Sequence, residues 1–124
     1  GPGAAQLDYT TILRYAEVLL NAAEAIARSS SSVDPRAVAL LEAVHKRSDA
    51  TYTFNLNNQN ELIDAILKES RIELLGEGFR SYDCVRLLLN IPGKSNVAAQ
   101  LPTSAGYLWP IPSSELASNK LCVP

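Results

Sequence analysis

Methionine is missing from all 124 residues. A translated reading frame starts with that residue, so its absence predicts a piece of a longer protein, with Gly1-Pro2-Gly3 as an expression scar or a cut end. Cysteine is scarce. The two present, Cys84 and Cys122, lie far apart and do not fix a redox compartment. Cys84 falls in a helical pattern, where it is expected to act as a small core residue. One histidine and two distant cysteines cannot make a spaced tetrahedral metal site, so no metal is expected. No charge of one sign dominates: 11 basic and 13 acidic residues leave a net charge of −2. That excludes a basic face for nucleic acid and a polybasic segment for an anionic membrane. The longest apolar runs, such as Leu87-Leu88-Leu89, fall far short of the ~20 residues that cross a bilayer, and nothing resembles a signal peptide. Nor is there a glycine-rich phosphate loop or a Ser/His/Asp arrangement, so neither a cofactor nor an enzyme is expected.

What is present is helical patterning. An apolar fraction of 47% in a chain of this length suits one modest domain. Residues 1–124 are therefore expected to form a single unit, with a helical core over about 7–90 and a loop and extended tail over 91–124. Ile12, Ala16, Leu19, Ala23 and Ile26 recur at steps of four and three, with Leu13 and Leu20 widening the stripe, predicting an amphipathic helix from about Thr10 to Arg28. Its alanines would let another helix approach closely. Ser29 to Ser32 reads as a loop, and Asp34-Pro35 restarts a helix with aspartate as N-cap and proline in the first turn. That helix runs to about Lys46, with His45 expected at an exposed edge and no acid fixed beside it. After a polar stretch carrying Tyr52 and Phe54, Asn58 with Glu61 suggests a capping-box variant, Asn60 being the alternative cap. A third helix then uses Leu62, Ile63, Ile66, Leu67 and Leu74, and a fourth is expected from about Phe79 to Leu89. Asn90 to Ala105 reads as a loop, and Tyr107-Leu108-Trp109-Pro110-Ile111-Pro112 as an extended strap across the helices. Ser113 or Ser114 with Glu115 would cap one last short turn. The fold class is all-α: antiparallel helical hairpins of tetratricopeptide-like form with a proline-rich strap, although no repeat near the expected period of about 34 residues is visible.

The densest information lies at the end of the third helix. Glu69, Arg71, Glu73, Glu77, Arg80, Asp83 and Arg86 recur at helical spacing across a break marked by Gly76 and Gly78, which can take the left-handed conformation that closes a helix. Arg80 is expected to pair with Glu77 or Asp83 and tie the two helices together. This corner resembles the RagB/SusD pattern Glu-Arg-Arg-x-Glu-Leu-x-x-Glu-Gly-x-Arg-x-x-Asp-Leu-x-Arg, with Ser70 for the first arginine and Cys84 for the leucine. Arg14-Tyr15-Ala16-Glu17 upstream and Leu108-Trp109-Pro110-Ile111-Pro112 downstream match the same family in the same order. The resemblance implies the C-terminal portion of an outer-membrane lipoprotein, its lipid anchor lying outside this segment. Such a protein would be exposed on the cell surface and capture polysaccharide, oligosaccharide or peptide for a SusC-like, TonB-dependent transporter. It also implies that much of the glycan-binding surface is supplied upstream, so binding by this segment alone is expected to be weak. A helical-repeat protein-interaction module without a glycan role is the alternative.

Two features could be taken for chemistry. Glu69 with Glu73, and Glu73 with Glu77, sit one turn apart like a glycosidase pair, but Arg71 and Arg80 nearby are expected to keep them ionised as structural ion pairs. Trp109 and Tyr107 could stack on a sugar ring and are the candidate ligand contacts. The flanking prolines favour instead a Trp109 that packs into a pocket over the helices.

Overall fold

The computed structural model describes residues 12–121. Within that range the chain is all-α, with helices α1 (Tyr15–Ser29), α2 (Pro35–His45), α3 (Gln59–Glu73), α4 (Phe79–Arg86) and α5 (Ser113–Ser118). Contacts divide it into two compact units, Gly1–Glu77 and Gly78–Pro124, where the sequence suggested one. The division falls at the glycine corner, where Gly76 and Gly78 adopt φ of 84° and 86°.

In the first unit, α1 packs along both α2 and α3. Residues 30–34 are too few to reverse direction any other way, so α1 and α2 form an antiparallel hairpin. The α1–α3 pair is antiparallel too. Gln59 at the start of α3 donates its side-chain amide to the carbonyls of Ala27 and Ser30 at the end of α1. At the other extreme, Arg14 just before α1 reaches Glu73 at the end of α3. The seam is built from small residues: Ala16, Ala23, Ala27 and Ala37 are buried with Leu20, Leu41, Val44, Leu62 and Ile66. Alanine at the contact lets the backbones come close, while the leucines and Ile66 supply most of the apolar area.

The caps explain where the helices begin. The Asp34 carboxylate accepts from the backbone N–H of Arg36 at 2.8 Å, with Pro35 following it. Hydrogen bonds from the Arg36 side chain and backbone hold the Asp34 carboxyl well below the usual carboxylate range. Asn58 accepts from the Glu61 N–H at 3.0 Å, while the Glu61 carboxylate accepts from the N–H of Asn57 at 2.8 Å. This is a capping box displaced by one residue. The first helix starts later than its periodicity predicts. Arg14 is extended (φ −104°, ψ 144°), and Ile12 and Leu13 before it are exposed and non-helical; Thr10 lies outside the described residues.

In the second unit, α4 ends at Arg86 and not at Leu89. Leu88 turns left-handed (φ 52°), the Leu89 N–H donates back to the Cys84 carbonyl at 2.8 Å, and the Leu88 N–H to that of Val85 at 3.3 Å. That is a Schellman closure carrying leucine where glycine is usual. The Tyr107 hydroxyl reinforces it, sharing its proton between the carbonyls of Cys84 (2.6 Å) and Leu89 (2.8 Å). The loop expected over 90–105 is more ordered than its composition suggests. Ile91 and Gln100 exchange two backbone hydrogen bonds, as do Lys94 and Val97, in a small antiparallel ladder. A Cβ on Gly93 would come within 2.6 Å of the Val97 carbonyl, so only glycine fits there. Cys84 is buried with a free thiol, and Cys122 lies outside the described residues.

Candidate functional site

The carboxylates at the end of α3 are held by cations from elsewhere in the first unit, and not by their neighbours in sequence. Arg14 grips two of them: Nη1 donates to Glu73 Oε1 at 2.7 Å, Nε and Nη2 to Glu77 at 3.2 and 2.7 Å, and Nη2 also to the Glu73 carbonyl at 2.6 Å. Arg47, just past α2, donates to both Glu73 oxygens at 2.9 and 3.0 Å. Burial alone would push the Glu73 carboxyl up; the Arg14 and Arg47 hydrogen bonds outweigh it and hold the group below its usual value. The same contacts, Glu77 first, raise Arg14. Two stretches that carry the family resemblance, 59 to 63 residues apart in sequence, are thus joined by one guanidinium.

Arg80 does not take the role expected for it. Glu77 is occupied by Arg14, and Asp83 pairs with Arg86 at 2.7 Å. The Arg80 Nε is buried and, among the described residues, has no hydrogen-bond partner. Arg71 is exposed, because two residues along a helix is more than half a turn and places it away from Glu69 and Glu73. Glu69, only 8% exposed, is held instead by His45, whose Nδ1 lies 2.8 Å from Glu69 Oε2.

Trp109 corrects the sequence expectation more sharply. It is 96% exposed and fills no pocket over the helices, whereas Tyr107 is 3% exposed. A bend at residues 107–108 separates them: Tyr107 turns inward to close α4, and Pro110 and Pro112 keep the following segment extended and in solvent. Burial raises the Tyr107 phenol above its usual value, so it stays a neutral donor at physiological pH. Trp109, Leu108 and Tyr82 rim an open depression of about 340 Å³, also lined by Ser81, Val85 and Tyr107. The aromatic surface available to a ligand in this unit is therefore Trp109 with Tyr82; Tyr107 supports it from below.

A further cluster was not anticipated. His45 packs against Tyr52 and Phe54, with ring centroids 4.5 and 5.1 Å away, and those two rings are 4.9 Å apart. Together with Glu69, Lys68 and Asn55 they line a cavity of about 240 Å³. The one sequence signal was the aromatic pair a few residues after the lone histidine. The acid comes from α3, 24 residues away, which local spacing cannot show. Among the described residues, no three His, Cys, Asp or Glu side chains are grouped to hold a metal ion, and no helix is long and apolar enough to cross a membrane.

The sequence model of the SusD family matches residues 3–123. The chain belongs to the SusD family. Two relatives from Formosa agariphila agree: SusD-like protein P2 is 34% identical over 123 residues, and SusD-like protein P38 is 30% identical over 125. These alignments cover 90% and 91% of this chain but 24% of each relative, so the chain spans about a quarter of the length of the SusD-like proteins it matches. No solved structure gives a significant match. The all-α hairpin architecture and the RagB/SusD resemblance of the corner thus stand together with this membership.

Proposed function

We propose that this chain is the C-terminal helical portion of a surface-exposed outer-membrane protein that captures glycan, or peptide, without catalysis and delivers it to a TonB-dependent transporter. The observation that carries this reading is the family match over nearly the whole chain. The exposed indole of Trp109 beside Tyr82 adds a surface suited to a sugar ring, since an aromatic face receives the C–H side of a pyranose while the rim stays wet. The first unit supplies a rigid frame: its carboxylates are engaged by Arg14, Arg47 and His45, which fits binding better than acid–base chemistry.

Trp109 is the sole tryptophan, so it reports on its own surface. Titrating the chain with concentrated soluble polysaccharides should shift its emission to the blue and protect it from acrylamide, saturably and with weak affinity. Trp109→Ala, with a glycan array on the family-length protein, completes the test. An array in which no glycan or peptide is retained would overturn the reading in favour of a helical protein-interaction module. That second reading is favoured by the apolar side chains of Tyr15 and Val18, exposed along α1 opposite its alanine seam.

A further inference from the structure

We infer that the cavity between His45, Tyr52, Phe54 and Glu69 is a second small-ligand site, separate from the Trp109 surface, which takes a single neutral six-membered sugar ring. The inference builds on the glycan reading above, but its evidence is local.

Size comes first. About 240 Å³ lies below the ~300 Å³ at which pockets for drug-sized molecules begin, which restricts the occupant to one ring or its equivalent. The lining then divides into two kinds. Tyr52, Phe54, Leu56, Ala65 and Ile72 give an apolar wall. Because the three rings of the cluster brace one another at 4.5 to 5.1 Å, that wall is set before a ligand arrives, and little ordering remains to oppose binding. Against it stands Glu69, a buried carboxylate with one oxygen engaged by His45 and, among the described residues, no hydrogen bond on the other. The bond to His45 also fixes the imidazole, whose second nitrogen carries no hydrogen bond among the described residues.

The charges select for neutrality. Lys68 and Glu69 line the same cavity, so a bare cation would meet the ammonium and a bare anion the carboxylate. A polyhydroxylated ring satisfies both, because its hydroxyls can donate to Glu69 and accept from Lys68 or the Asn55 amide while its C–H face lies on the aromatic wall.

His45 is the sole histidine, and its ring proton signals in an NMR spectrum therefore report on this cavity alone. Adding glucose, galactose or N-acetylglucosamine to the intact chain should move those signals saturably, while Trp109 emission follows the other surface. Glu69→Gln, which retains an acceptor for His45, should weaken the response about tenfold or more, the typical effect of losing a charge-assisted hydrogen bond, and Tyr52→Ala, in a surface loop, should weaken it by removing part of the aromatic wall under the ring. Unmoved His45 signals at saturating sugar would overturn the inference, and would do so without touching the glycan reading if Trp109 still responds to polysaccharide. Signals that move with methylammonium and not with sugar would replace it with a cation site. An undiminished response in both variants would place the sugar elsewhere.

Discussion

Arg14 shows how much one side chain can organise. It stands before the first turn of α1, yet its guanidinium serves Glu77 through Nε and Nη2, the Glu73 carboxylate through Nη1, and one of the α3 terminal carbonyls through Nη2. Helix ends leave such carbonyls unpaired, and a cation there also meets the negative end of the helix dipole. Arg14→Ala should therefore lower the melting temperature clearly. Lys46→Ala, which removes an exposed one-turn pair with Glu42, should cost less than about 1 kcal/mol. Thermal melts of the two variants check the ranking. The same contact sets an acid limit. Glu73 is lowered from an ordinary 4.5 in the fold, so the stabilisation from its ionised form is complete above pH 4.5 and is lost as pH falls through the depressed value. Melting temperature should be level from neutral pH to about 5 and fall below it, and Glu73→Gln should flatten that fall; an unchanged acid limb in the variant would remove Glu73 from the account.

At the level of elements, the helix faces were readable because burial follows the 3.6-residue period. Ala16, Leu20 and Ala23 of the stripe read from the spacing are buried in α1 together with Ala27, while Leu19 and Ile26 pack half-buried against the same core. The seam is closed to solvent, as Ala23 and Ala27 are fully buried. Ala23→Leu should force the helices apart and cost about 1–3 kcal/mol, measured by chemical denaturation. Helix ends were less legible where side chains distant in sequence decide them. The α4 terminus depends on Tyr107, more than twenty residues beyond it, and on a leucine in a conformation that normally asks for glycine. Leu88 is 69% exposed, so Leu88→Gly relieves the backbone with little burial lost, and should raise stability by up to about 1 kcal/mol. The His45–Glu69 contact and the 91–100 ladder were illegible for the same reason: each joins residues whose proximity exists only after folding. Trp109 was misread because size and apolarity predict what a side chain would gain from burial, and cannot show whether anything stands over it.

At the scale of the whole molecule, apolar side chains are divided between core and exterior. Among the described residues, a compact alanine-lined core coexists with exposed Ile12, Tyr15, Leu75, Tyr82, Leu108 and Trp109. Tyr82, Leu108 and Trp109 rim one depression, and contiguous apolar surface of that kind marks binding or association. Native Trp109 emission should be water-like and fully accessible to acrylamide, and Trp109→Ala should change stability by no more than about 0.5 kcal/mol; protected emission from the native chain would return the indole to a core. The position of Gly76 and Gly78 has a practical side as well. Both take positive φ with open space around them, and Glu77 between them is held by Arg14. A chain ended after Glu77 keeps α1, α2, α3 and both acids under the Arg14 fork, which makes this the natural splice point for carrying the three-helix unit into a chimaera as a self-contained module.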